Sequence, residues 1–275
     1  MTFELGCQLI GAAEDPRNVA VVLHGALGSG QNFRSFASKL AELRPDYAVL
    51  LADLRHHGKS RGAPPPDTLP ACAEDVVRVL EHHERGASVR AVIGHSLGGK
   101  VALEVARQRE ERLQQVWVLD ANPGAQALDQ DSEIARVVEA LLLVPMPLER
   151  RADVVPILRR AGLSPAIANW MTTNLERTTD GYRWSFELDR TRALLVDYAA
   201  RDLWPYLEQR DQERLDLHIV VAERSERLDG PVRKRLAQLE RDGRLRYHLL
   251  PDAGHWLHVD NPSGLLDLLS SSLPR

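Results

Sequence analysis

The chain has little cysteine and little lysine. Its two cysteines, Cys7 and Cys72 among 275 residues, are too few and too far apart for a disulfide framework or a zinc site. Both are expected to be reduced and structural. The lysines are Lys39, Lys59, Lys100 and Lys234 alone, and the more numerous arginines are scattered. With a net charge of -4 and a pI near 6.2, nothing concentrates the positive potential that nucleic acid needs. No apolar run approaches the roughly 20 residues that span a bilayer, so no membrane partner is expected. Met1 to Gly6 show no basic stretch leading into an apolar core. No signal peptide is therefore expected, and a cytoplasmic location is the default. The composition, 44% hydrophobic and 27% charged, is that of a globular protein, and the length suits one core with an inserted subdomain.

What is present is a rhythm of short apolar runs separated by amphipathic stretches. Runs at 19–23, 47–51, 89–93, 116–119, 217–221 and 245–249 read as strands buried on both faces of a parallel sheet. Helical patterns lie near 31–44, 70–85, 97–109, 230–241 and 262–272. This alternation predicts an α/β fold with a mostly parallel sheet and helices on both faces. Residues 2–12 hold one or two further strands. From about 123 to 212 the rhythm breaks into helical pieces punctuated by Pro145, Pro147, Pro156, Pro165 and Pro205. The expected organisation is a core of residues 1–122 and 213–275 with a helical cap of 123–212 inserted in it. A structural excursion with no part in substrate choice is the alternative.

The chemistry concentrates at strand ends, where ligands gather in such sheets. Gly94-His95-Ser96-Leu97-Gly98 follows the run at 89–93 and opens a helical stretch. That is the strand–turn–helix setting of a nucleophile elbow, which holds a serine hydroxyl on a tight, strained turn. The base is expected at His255, in the loop after Gly254; His258 is the competitor, nearer the following helix. The acid is less obvious. The loop after 217–221, its usual place in this architecture, carries Ser225. Asp120, at the end of the 116–119 run, is assigned as the acid with Ser225 as a supporting hydrogen-bond partner, and Asp229 is the rival. Asp252 lies too close to His255 in sequence. The backbone N–H groups of Ala26, in the glycine run His24 to Gly30, and of Leu97 are the expected oxyanion donors. His95 reads as packing. His56 and His57 read as a turn that steadies a strand end, with substrate contact as the lesser alternative. Trp170, Trp184 and Trp204 are cap core or an acyl-pocket lining.

These landmarks, together with Asp53-Leu54-Arg55-His56-His57-Gly58-Lys59-Ser60, Lys100 after the double glycine, and Gly254-His255-Trp256, resemble the α/β-hydrolase superfamily over essentially the whole chain. Within it they look like the esterase branch of YbfF and the ABHD11-type proteins. The resemblance implies hydrolysis of carboxylic esters, a cap over the site, no metal and no organic cofactor. In that branch an acid after the sixth strand, with a serine at the more usual acid position, is a known arrangement that Asp120 and Ser225 match. The expected activity is serine ester hydrolysis, on short to medium acyl chains, through an acyl-serine intermediate. The same triad acting on a thioester, amide, lactone or carbon–carbon bond is the alternative, and a non-catalytic binding protein on this fold a remote one. The expected partner is a small acyl ester, and a monomer is the default.

Overall fold

The computed structural model describes residues 3–11, 17–127, 133–210 and 215–275. Seven strands form one sheet: β1 (Cys7–Ile10), β2 (Asn18–Leu23), β3 (Tyr47–Ala52), β4 (Val89–His95), β5 (Gln115–Leu119), β8 (Asp216–Ala222) and β9 (Arg246–Leu250), in the order β1-β3-β2-β4-β5-β8-β9. Only β1 runs antiparallel to its neighbour. Helices α1 (Arg34–Leu43), the short α10 (Leu257–Asp260) and α11 (Pro262–Ser272) cover one face, and α2 (Leu69–His82), α3 (Leu97–Arg109) and α9 (Gly230–Arg241) the other. Period-two alternation explains the division. Val19, Val21 and Leu23 of β2 join the core under α2 and α3, while Ala20 and Val22 join the core under α1 and α11. The fold class expected from the alternation is the one observed.

Two elements differ from expectation. The run at 245–249 is the outermost strand, not one buried on both faces, and Leu249 is 50% exposed. The excursion between β5 and β8 is not wholly helical. It holds α4 (Glu133–Leu142), α5 (Val154–Arg160), α6 (Pro165–Thr172), α7 (Leu188–Ala200) and α8 (Trp204–Gln209), but also a hairpin of β6 (Leu175–Thr178) and β7 (Gly181–Trp184). Leu175 and Trp184 are the buried residues of that hairpin, so no apolar run announced it. Asp180-Gly181 beside the turn was the available signal. Val137, Leu141, Leu158, Met171 and Phe186 form a separate apolar cluster in this excursion, with Leu27 reaching in from the core.

Register decides which strand ends meet. His95 pairs with Leu119, and Leu119 with Val220. The ladder continues one step beyond the strands. The Ser96 N–H donates to Leu119 O (3.0 Å) and the Asp120 N–H to Val220 O (2.8 Å). Ser96 and Asp120 therefore leave adjacent strands at the same level of the sheet.

Candidate active site

Ser96 has φ 53° and ψ −113°, a conformation that costs a non-glycine residue roughly 1–3 kcal/mol. The turn is possible because its neighbours lack side chains. A Cβ at Gly94 would lie 2.0 Å from Gly98 O, and one at Gly98 would lie 2.5 Å from Leu23 O. Strand β4 and helix α3 pack backbone to backbone there, and the serine hydroxyl is left at the tip.

The Ser96 hydroxyl donates to His255 Nε2 (3.1 Å), and the His255 Nδ1–H donates to Asp120 Oδ2 (2.7 Å). Asp120 is 1% exposed. Two further donors satisfy its carboxylate: the Ser225 hydroxyl to Oδ2 (2.5 Å) and the Ala222 N–H to Oδ1 (3.1 Å). Buried carboxylate oxygens need such donors in place of the water they have lost. Asp229 is elsewhere. It is exposed and caps α9, accepting from the Val232 N–H (2.9 Å), so the rival acid is a helix cap. His258 does not reach Ser96 either; it stacks on Phe33 at 4.0 Å, and burial followed by the nearby His255 lowers its pKa to about 4.

Other histidines hold the scaffold, and sequence reading undervalued one of them. His95 Nε2–H donates to the backbone carbonyl of His255 (2.7 Å), so the residue read as packing also steadies the His255 loop. Burial, reinforced by His255 and His258, pushes its pKa well below the usual imidazole value, which keeps it neutral. His24 and His57 each donate from Nδ1 to a backbone carbonyl and accept a backbone N–H at Nε2. His24 takes the Leu54 N–H (2.9 Å) and His57 the Leu27 N–H (3.3 Å). An imidazolium has no acceptor nitrogen, and burial holds their pKa values at about 4 and about 3. His57 thereby fixes the turn that carries Ala26, a link the sequence did not reveal. His56 is fully buried and within 3.2 Å of Glu187 Oε2, tying the 53–62 loop to the excursion. Lys100 is buried, donates to Gly124 O and Tyr198 O (both 2.8 Å) and lies 4.6 Å from the Tyr198 ring centre. Burial lowers its pKa to about 8.

The N–H of Leu97 opens α3 and has no partner within the helix. Neither it nor the N–H of Ala26 has a hydrogen-bond partner among the described residues, and both residues line the cavity above Ser96. That cavity encloses about 170 Å³. Trp170 and Trp256 form part of its wall, with ring centres 5.7 Å apart. Trp184 and Trp204, by contrast, are buried in packed cores. Among the described residues no group of three or more His, Cys, Asp or Glu is arranged to hold a metal ion. None of the described helices is long and apolar enough to cross a membrane.

The chain is similar to known hydrolases. The mouse (Mus musculus) sn-1-specific diacylglycerol lipase ABHD11 is 27% identical over 262 residues, covering 92% of this chain and 80% of the relative. Esterase YbfF of Escherichia coli K12 is 24% identical over 246 residues, covering 90% and 89%. A solved structure, a marine microorganism esterase, superposes with a TM-score of 0.80 at 24% identity, covering 98% of this chain and 99% of the other. The sequence profile of the Alpha/beta hydrolase family matches residues 20–268, and the chain belongs to that family.

Proposed function

We propose that this α/β hydrolase is a serine esterase that cleaves carboxylic esters of short to medium acyl chain. The observation that carries the reading is the chain of hydrogen bonds from Ser96 through His255 to Asp120, 3.1 and 2.7 Å long, beneath a small apolar cavity. As Ser96 attacks the acyl carbon, His255 takes its proton, and Asp120 holds the ring in the tautomer that presents a bare Nε2. The negative oxygen of the tetrahedral intermediate is bound by the N–H groups of Ala26 and Leu97; losing one such donor typically costs on the order of 3 kcal/mol. Imidazolium His255 returns the proton to the departing alcohol. Water, deprotonated by His255, then attacks the acyl-serine, and the acid and free Ser96 result.

Residues 123–212 act as a cap over residues 1–122 and 213–275 in this reading. Relatives named as a diacylglycerol lipase and an esterase support an ester as the bond cleaved. The test is Ser96→Ala assayed on p-nitrophenyl butyrate and with a fluorophosphonate probe. Turnover and labelling should both vanish while circular dichroism is unchanged. Retained turnover in the variant would overturn the nucleophile assignment.

A further inference from the structure

The cavity above Ser96 is bounded on one side by apolar residues of the excursion between β5 and β8. Ile134 of α4, Ile167 of α6 and Leu195 of α7 line it, and the same three side chains line a second hollow on their outer side. The inner space, about 170 Å³, is well below the roughly 300–1,000 Å³ of sites that enclose drug-sized ligands. The outer space is a groove of about 1150 Å³, open to solvent, between α4, α7 and the residues that join α5 to α6. Its lining mixes aliphatic side chains, Leu143 and Val196 foremost, with the polar Arg136, Glu139, Ser164 and Arg192. Leu143 is 67% exposed and Val196 58%. Large aliphatic side chains left in water beside a reaction cavity call for an apolar occupant. At the rim Arg192 lies 3.8 Å from Glu139, and Arg136 stands beside them.

Resting on the esterase reading, we propose that this groove is a distal acyl subsite and that Ile167 and Leu195 are its gate. Beyond the short to medium chains held in the inner cavity, esters with a longer aliphatic acyl chain place the carbonyl at Ser96 and run the chain through the wall into the groove. Continuity commits the groove to this occupant. The two spaces share three residues, and each of those is apolar, so a hydrocarbon crosses without stripping water from any polar side chain of the wall. Short chains stay within the inner cavity and gain nothing from the groove. Each methylene carried out of water is worth roughly fourfold in binding, so opening the gate favours long chains selectively.

The experiment compares labelling of Ser96 in the full chain by butyl and dodecyl fluorophosphonates. These report the subsite whatever bond the enzyme cleaves. Leu195→Ala should raise the dodecyl-to-butyl rate ratio by about tenfold or more, and Ile167→Val, which disturbs packing less, should raise it in the same direction. Leu195→Phe should lower it. Adding Val196→Asp to Leu195→Ala sets a carboxylate in the groove beyond the gate and should return the ratio toward wild type. A ratio that stays fixed in both gate variants, or a gain that survives Val196→Asp, overturns the subsite while leaving the serine hydrolase intact. A fixed ratio with Val196→Asp converting a dimer into a monomer gives the groove to a second copy of the chain and also overturns it. Failure of the wild type to label with either probe is a different result, and it removes the nucleophile reading on which the subsite rests.

Discussion

Asp120 is the residue on which the site depends most after the nucleophile. Its carboxylate receives His255, Ser225 and the Ala222 N–H, and its own backbone holds φ 48°. Asp120→Asn keeps the shape but can present an amide N–H to His255 and so select the wrong tautomer. A loss in kcat of around 10⁴-fold is expected on p-nitrophenyl butyrate. Ser225→Ala removes one of three donors and should cost roughly tenfold. Asp229→Ala should leave kcat/KM within about twofold and lower stability by about 1 kcal/mol in urea melts, the usual value of a helix cap. A crippled Asp229→Ala beside an active Asp120→Asn would reverse the acid assignment. The candidate nucleophile, base and oxyanion donors were legible in sequence because elbow, glycine loop and late histidine carry local signatures. The acid was not settled by them. Asp120 and Asp229 both follow strand runs, and strand register sets Asp120, not Asp229, level with Ser96, where the loop after β9 brings His255 to both.

At the scale of elements, the site is an alignment of strand ends supported from the 53–62 loop. That loop reaches inward through His57 to the Leu27 N–H (3.3 Å) and outward from the Gly58 N–H to Ser185 O (2.6 Å). The Glu187 N–H returns the contact to His56 O (2.8 Å). The sequence reading of this loop as a turn was correct as far as it went. Its second role was hidden because the partners, Leu27 and residues 185–187, are remote in the chain. His57→Ala should therefore lower kcat by on the order of 10–100-fold through displacement of the Ala26 turn, as small misplacements of catalytic groups do. Steady-state assays with a matched circular dichroism spectrum check this. Gly94→Ala should be worse for folding than for chemistry, because its methyl meets Gly98 O at 2.0 Å. A destabilisation of about 3 kcal/mol or more is expected, read by thermal melts.

At the scale of the whole molecule, buried neutral histidines make the fold sensitive to acid. His24 and His258 are held at about 4 and His57 and His218 at about 3, all chiefly by burial. His218 is stacked on Trp117 with ring centres 3.7 Å apart, and Trp117 pairs with Ile93, three residues before Ser96. Between roughly pH 6.5 and these values the unfolded chain binds protons that the folded chain does not. Stability should thus fall as pH drops from about 6.5 through 4, and the urea midpoint measured across that range should fall with it. His218→Gln should flatten the slope. Lys100 contributes at the alkaline end. With its pKa lowered to about 8 against roughly 10.4 unfolded, it adds stability as pH rises between those values. Lys100→Met should remove that rise.

The sequence by itself determined the layered α/β architecture and singled out Ser96 and His255 as the candidate nucleophile and base. Both are written in local patterns: apolar runs buried on two faces, and glycines wherever backbone approaches backbone at the elbow. Tertiary structure alone decided which carboxylate faces His255, what His57 and His95 support, and how Ile134, Ile167 and Leu195 divide the cavity from the groove. Those outcomes depend on strand register and on side chains brought together from distant segments, and distances between such segments are set by packing, not by spacing along the chain.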